Sequence, residues 1–125
     1  MATRRLLLID DEDDIREVAA LSLETVAGWT VLLASTGEEG LQLAAAEHPD
    51  AILLDVMMPE IDGPFVYQRL QEDPKTRTIP VIFLTAKAQA VEQRLLLELG
   101  VAGVIAKPFD PLTLSGDISR ILHWD

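Results

Sequence analysis

Short apolar runs recur along the chain, and polar or turn-forming residues bound each of them. The runs cover residues 6–9, 31–34, 51–54, 81–84 and 104–106. None alternates strictly between apolar and polar positions, which is typical of strands whose two faces are both buried in a parallel sheet. We therefore predict a strand at each run.

Helical patterns fill the intervals between the runs. The first helix is predicted over about residues 14–26, and its buried side is formed by Ile15, Val18, Ala19, Ser22 and Val26. A capping box, in which Glu39 follows three residues after Thr36, starts the second helix, which continues through residue 46. The third helix begins at Asp62, with Pro64 in its first turn, and stops before Asp73.

Two further helices complete the pattern. The fourth is predicted over about residues 88–99 and ends at Gly100, with an apolar face formed by Val91, Leu95 and Leu99. Asp110 and Pro111 are predicted to cap the fifth, whose apolar face includes Leu114, Ile118, Ile121 and Leu122. Strands that alternate with helices over short connections require right-handed crossovers. The sequence therefore predicts a three-layer α/β/α sandwich around a five-stranded parallel sheet, with five helices.

Composition and charge narrow the class of protein. The 125 residues, 49% hydrophobic and 25% charged, are typical of one globular domain. The absence of cysteine excludes disulfides, zinc–thiolate sites and cysteine nucleophiles. A formal net charge of -11 argues against nucleic-acid binding, and the apolar runs are too short to span a bilayer. We expect a cytoplasmic protein with neither a nucleic-acid nor a membrane partner.

Chemically active side chains follow four of the five predicted strands. Asp10 and Asp11 come after the first run, Asp55 after the third, Thr85 after the fourth and Lys107 after the fifth. Sites in such sheets form at the carboxyl ends of the strands. Clustered carboxylates need a cation or a raised pKa, and an oxygen-rich site with an open side suits Mg2+.

This set of groups predicts phosphoryl transfer. An aspartate carboxylate can attack phosphorus and form an acyl phosphate, while Mg2+, an ammonium and a hydroxyl neutralise the phosphoryl oxygens. A lone Asp55 would more often be a strand-end carboxylate that backbone amides satisfy, but the convergence of the other groups favours a site. We interpret Glu12, Asp13 and Asp14 as charges that complement a helix dipole.

Four segments together resemble the response-regulator receiver family of two-component signalling: LLLIDDEDD, ILLDVMMPEIDG, VIFLTA and IAKPF. They occur in the family's order and at its separations, and the resemblance covers essentially the whole chain. It implies a single receiver domain over residues 1–125, a flavodoxin-like sheet of strand order 2-1-3-4-5, and no output domain in this chain.

The resemblance also implies roles for individual residues. Asp55 would be the phosphorylation site, with Thr85 and Lys107 in contact with its phosphoryl group. The implied Mg2+ ligands are Asp55, Asp11 directly, Asp10 mainly through water, and the backbone carbonyl of Met57. The Lys107–Pro108 peptide bond would be cis.

The implied partners are proteins. A histidine kinase or histidine phosphotransfer protein would donate the phosphoryl group, and an unidentified downstream protein would bind the phosphorylated form. The chain would act as a phosphoacceptor switch rather than as a turnover enzyme, and as a monomer or a weak phosphorylation-dependent dimer. Whether it stands alone or belongs to a longer protein stays open.

The chain departs from the family at positions that affect switching. Val104 stands where many receivers carry Tyr or Phe, so we expect the signal to travel mainly through the loop of residues 86–88. Met57 and Lys87 flank the phosphoryl site, and neither is an acid or an amide that would hold an attacking water. We therefore expect a long-lived acyl phosphate.

Three other functions compete with this interpretation. A phosphohydrolase of the haloacid-dehalogenase type also uses a nucleophilic aspartate with Mg2+, but it needs a second aspartate where Met57 stands. A nucleotide- or flavin-binding module would need a glycine-rich loop after the first strand, where this chain has acid. A receiver that only binds partners and is never phosphorylated is the third alternative.

Overall fold

Parallel strands form the central layer of the molecule. The computed structural model describes residues 3–86 and 89–124. The strands are β1 (Arg5–Ile9), β2 (Thr30–Ala34), β3 (Ala51–Asp55), β4 (Val81–Thr85) and β5 (Gly103–Ala106). They pair in parallel in the order β2-β1-β3-β4-β5, which confirms the predicted sheet and its strand order.

Helices cover both faces of this sheet. They are α1 (Asp13–Ala27), α2 (Gly37–Glu47), α3 (Gly63–Glu72), α4 (Ala90–Leu97) and α5 (Leu114–Leu122). One core cluster joins the sheet to α2 and α3 through Ala44, Val66 and Leu70. The other cluster joins it to α1 and α5 through Leu23 and Ile118. The predicted three-layer sandwich is therefore confirmed.

The two clusters explain why the strands lack an alternating pattern. Successive residues of a strand point to opposite faces of the sheet. In β1, Leu7 and Ile9 enter the cluster beneath α2 and α3, whereas Leu6 and Leu8 enter the cluster beneath α1 and α5. Because both faces are covered, every position in the middle of the sheet has to be apolar.

Helix starts follow the capping signals in two cases and depart from them in a third. The Thr36 side chain accepts a hydrogen bond from the Glu39 amide, and Asp62 accepts one from the Phe65 amide, as predicted. The predicted cap at Asp110 and Pro111 is wrong, because α5 begins only at Leu114. The Asp110 carboxylate accepts from the Leu112 amide at 2.9 Å instead, and so stabilises a separate turn before the helix.

The predicted apolar faces of two helices are also corrected. In α1, the predicted Val18 and Val26 are exposed, and the buried residues are Ala19, Ser22 and Leu23. Val91, Leu95 and Leu99 are exposed, and no described residue of α4 is buried. Leu96 packs against the core in their place. Helix α4 contacts β5, the edge strand of the sheet. Residue 88, the predicted start of this helix, lies outside the described residues.

The length and composition of the described helices show whether any of them could cross a membrane. Within residues 3–86 and 89–124, no helix combines the length and the apolar character that crossing a bilayer requires.

Gly63 provides a test of how tightly α3 packs against the end of β3. An alanine Cβ at this position would lie 2.5 Å from the Asp55 carbonyl oxygen and 2.9 Å from the Val56 Cα. Because backbone atoms cannot move aside as a flexible side chain can, Gly63→Ala should lower the free energy of unfolding by about 1–3 kcal/mol.

Gly116 offers the matched control, since a Cβ there would meet no atom within 4 Å. Gly116→Ala should raise the free energy of unfolding by about 0.5–1 kcal/mol, because alanine favours a helix interior. Urea unfolding of both variants measures the two effects. A Gly63→Ala protein as stable as the natural one would contradict the packing described for α3.

Candidate functional site

Four strands deliver polar side chains to one edge of the sheet. Asp55 and Thr85 are the last residues of β3 and β4, while Asp10 and Lys107 directly follow β1 and β5. The Lys107 amide donates a hydrogen bond to the Thr85 carbonyl oxygen at 2.8 Å, and the Val56 amide donates to the Leu84 carbonyl at 3.0 Å. Backbone pairing therefore continues past the strand ends and fixes where these side chains begin.

Carboxylates are concentrated at this edge. One oxygen from each of Asp10, Asp11 and Asp55 lies within 4.8 Å of the others. Asp10 and Asp55 are buried, whereas Asp11 is exposed. The Glu12 amide donates to Asp10 Oδ1 at 2.9 Å, and the Met57 amide donates to Asp55 Oδ1 at 3.4 Å. The three carboxylates are thus covered by the sheet on one side and open to solvent on the side of Asp11.

The Lys107 ammonium lies between the two buried carboxylates. Its Nζ is 2.7 Å from Asp10 Oδ2 and 3.2 Å from Asp55 Oδ1, and its side chain is only 9% exposed. Burial lowers the pKa of Lys107, but the hydrogen bonds and charges of Asp10 and Asp55 outweigh burial and raise it overall. The ammonium is therefore a permanent positive charge at neutral pH.

One ammonium does not compensate this much negative charge. Burial and the charge of Asp10 raise the pKa of Asp55 from 3.8 to about 6, although Lys107 opposes the change. Asp55 Oδ2 is buried and accepts no hydrogen bond from the described residues. A buried oxygen without a partner costs about 1–3 kcal/mol unless an ion or water reaches it.

These features fit a hard divalent cation. Mg2+ prefers oxygen ligands and usually keeps several waters, so it suits a carboxylate group with an open side. Asp10, Asp11 and Asp55 supply the oxygens, and the uncompensated charge supplies the attraction. The donor set therefore suits magnesium better than a metal that prefers nitrogen or sulfur ligands.

The contacts of two residues near the site were not predicted from the sequence. Glu12 Oε1 lies 3.4 Å from Lys107 Nζ, although we had interpreted Glu12 only as a helix-dipole charge. The Arg16 guanidinium donates to the Asp10 carbonyl oxygen at 2.7 Å and also pairs with Asp13. Arg16 is one helical turn after Glu12, and helical side chains lean toward the N-terminus, a signal that could have predicted its contact.

The other residues to which the sequence assigned a role in the site or in switching differ in burial. Thr85 is buried at the end of β4, and the Lys107–Pro108 peptide bond is cis. Met57 is 62% exposed, whereas Met58 packs against the core. Val104 is partly buried against the core and is paired with Phe83 in the sheet. Lys87 and Ala88, on which the expected signalling loop depends, lie outside the described residues.

The raised pKa of Asp55 leads to a prediction about stability. A carboxyl whose pKa is higher in the folded state stabilises the fold below its unfolded value, and this contribution is lost as the pH rises through its folded value. The natural protein should therefore lose stability relative to Asp55→Asn between pH 3.8 and about 6. The relative loss should be on the order of 3 kcal/mol, since the pKa of Asp55 rises by about two units and each unit corresponds to about 1.4 kcal/mol.

Urea unfolding of both proteins over this pH range, with a chelator present, measures the difference. The comparison removes the titration of shared groups that lie far from Asp55. A difference that stays constant over the range, or that changes in the opposite direction, would contradict the uncompensated charge described here.

Comparisons with known proteins give the family. The family model for the response regulator receiver domain matches residues 6–119. "Probable transcriptional regulator ycf27" of Porphyridium aerugineum is 38% identical over 123 residues, which cover 98% of this chain and 50% of that protein. The alkaline phosphatase synthesis transcriptional regulatory protein PhoP of Bacillus subtilis is 38% identical over 120 residues, covering 96% and 49%.

A solved structure agrees with these relatives. A response regulator from Desulfuromonas acetoxidans has a TM-score of 0.87 and 31% identity, and the alignment covers 96% of this chain and 97% of that one. The chain spans about half the length of the curated relatives it matches. Its fold and these matches agree: the chain belongs to the response regulator receiver domain family of two-component signalling.

Proposed function

We propose that this chain is a single receiver domain that accepts a phosphoryl group on Asp55 in the presence of Mg2+. The observation that carries the proposal is the buried Asp55 carboxylate. Its Oδ1 contacts the Lys107 ammonium at 3.2 Å, and its Oδ2 has no hydrogen-bond partner among the described residues. A nucleophile needs such an uncommitted oxygen beside a positive charge that can receive the incoming phosphate.

The proposed step balances in atoms and charge. An Asp55 oxygen forms a bond to phosphorus, and the bond from phosphorus to the donor's imidazole nitrogen or acyl oxygen breaks. A donor imidazole leaves in its neutral form because its other ring nitrogen carries a proton, an acyl phosphate donor leaves as a carboxylate, and Asp55 becomes an aspartyl phosphate. No proton has to leave Asp55, because the carboxylate attacks in its ionised form.

Each neighbouring group has a role in this step. Lys107 would pair with a phosphoryl oxygen, and the Thr85 hydroxyl would donate a hydrogen bond to another. Asp10, Asp11, Asp55 and the Met57 carbonyl would hold Mg2+. When bound, the ion would neutralise the equatorial phosphoryl oxygens, which carry the charge in phosphoryl transfer.

The proposed partners follow from this chemistry. The donor would be a histidine kinase or a histidine phosphotransfer protein in the cytoplasm, or a small acyl phosphate in the test tube. The product would bind a downstream protein differently from the unmodified form. Transcriptional regulation is a function of the longer relatives, of which this chain spans about half.

Sustained phosphatase turnover is the competing function. It would need an acid or base two residues after the nucleophile, and the exposed Met57 side chain has neither. The same absence supports a slowly hydrolysed aspartyl phosphate, because Met57 cannot hold an attacking water. Continuous release of phosphate from a small phosphate ester would favour the phosphatase over the switch.

Phosphorylation by acetyl phosphate tests the proposal directly. With Mg2+, the natural protein should gain the mass of one phosphoryl group, whereas a chelator should reduce the modification at least tenfold. Asp55→Asn should gain no mass, because an amide cannot form the acyl phosphate.

Intact-protein mass spectrometry at matched times measures the modification. Asp50→Asn is a suitable control, since Asp50 is an exposed carboxylate next to β3 whose side chain contacts the Arg5 amide. It should be modified like the natural protein. Full modification of Asp55→Asn would exclude Asp55 as the acceptor.

A further inference from the structure

Glu12 contacts the ammonium of the proposed site, although it does not belong to the carboxylate group that could hold a cation. Its Oε1 is 3.4 Å from Lys107 Nζ, and its side chain is 53% exposed. The Glu12 amide donates to Asp10 Oδ1 at 2.9 Å, and its carbonyl accepts from the Arg16 amide at 3.1 Å. The backbone of Glu12 is therefore fixed, and its side chain starts from a defined point beside Lys107.

The side chain of Glu12 makes no hydrogen bond that caps a helix. Glu12 is the N-cap residue of α1, but its carboxylate accepts nothing from the amides of the first turn. Asp13 and Asp14 already provide acidic charge in that turn. The contact with Lys107 is thus the specific interaction of this carboxylate, beyond its general attraction to the helix dipole.

A cation at the site would change which carboxylates hold Lys107. In the structure the ammonium lies closest to Asp10 and Asp55, and both belong to the carboxylate group. A dication bound to these two would engage their charge and would also repel the ammonium. Among the described carboxylates that pair with Lys107, Glu12 is the one outside that group.

We propose that Glu12 is a positioning residue that keeps the Lys107 ammonium at the site when a divalent cation engages Asp10 and Asp55. The proposal rests on the proposed function, because it concerns the ammonium that would meet the phosphoryl group. Without the cation, Asp10 and Asp55 suffice to hold Lys107. With the cation, Glu12 becomes the main attraction that opposes its displacement toward solvent.

Glu12→Gln removes the charge with little change of shape, and Asp14→Asn is the matched control. Asp14 is also an exposed acid at the start of α1, but its carboxylate bonds only the adjacent Ile15 amide among the described contacts. Both variants lose one negative charge near the site. A difference between them therefore reports the contact with Lys107 rather than the overall charge of the protein.

Amine labelling of Lys107, followed by mass spectrometry, gives a readout that does not depend on phosphoryl transfer. Lys75 is exposed and serves as the internal reference. Without Mg2+, Lys107 should be labelled equally slowly in both variants. With saturating Mg2+, labelling should rise about two- to fivefold in Glu12→Gln but not in Asp14→Asn, as expected for the loss of one partly exposed ion pair.

The phosphorylation rate with acetyl phosphate provides the second readout. At saturating Mg2+, Glu12→Gln should react about two- to fivefold more slowly than Asp14→Asn. Equal labelling of Lys107 in the two variants with Mg2+ would overturn the proposal. Faster phosphorylation of Glu12→Gln would also overturn it, because Glu12 would then compete with the phosphoryl group for Lys107.

The experiment separates this proposal from the proposed function. If the natural protein takes up no phosphoryl group, the proposed function fails, whereas the labelling comparison still reports whether Glu12 holds Lys107. Mg2+ binding to each variant is verified independently by the rise in Tm.

Discussion

Uncompensated negative charge at the carboxyl edge of the sheet is the constraint on which the site depends. Asp10 and Asp55 are buried together, and Lys107 is the ammonium that contacts both. Burial and the charge of Asp10 raise the pKa of Asp55 to about 6, although Lys107 lowers it, and Asp55 Oδ2 accepts no hydrogen bond from the described residues. We propose that this site attracts a divalent cation and, with it, a phosphoryl group.

The fold brings these charges together, and its hydrophobic core offsets the free energy of their repulsion. Parallel strands all end at the same edge, so the residues after β1, β3, β4 and β5 must come together. Two core clusters of buried residues, one on each face, stabilise the sheet beneath them. Gly63 lets α3 approach the end of β3 within the space that a Cβ would occupy, and this approach helps to fix the backbone at Asp55. The receiver therefore combines a sheet that is packed on both faces with an edge that carries uncompensated negative charge.

The sequence predicted the sheet and the strand-end residues because both follow from local pattern and from the common direction of the strands. It did not predict which face of α4 meets the core. Apolar residues at 91, 95, 96, 97 and 99 lie on several faces of this helix or just after it. The spacing of apolar residues therefore does not show that Leu96 is the one that packs against the core. The contact of Glu12 with Lys107 joins residues 95 positions apart. It depends on how α1 and β5 are arranged, which no local pattern specifies.

The effect of Mg2+ on stability shows whether a cation relieves the repulsion among Asp10, Asp11 and Asp55. Thermal unfolding with and without Mg2+ should show a higher Tm for the natural protein with the ion, by mass action. Asp11→Asn should be more stable than the natural protein without Mg2+ and should gain little from the ion. An Asp11→Asn protein that is less stable without Mg2+, yet still gains fully from it, would contradict the account.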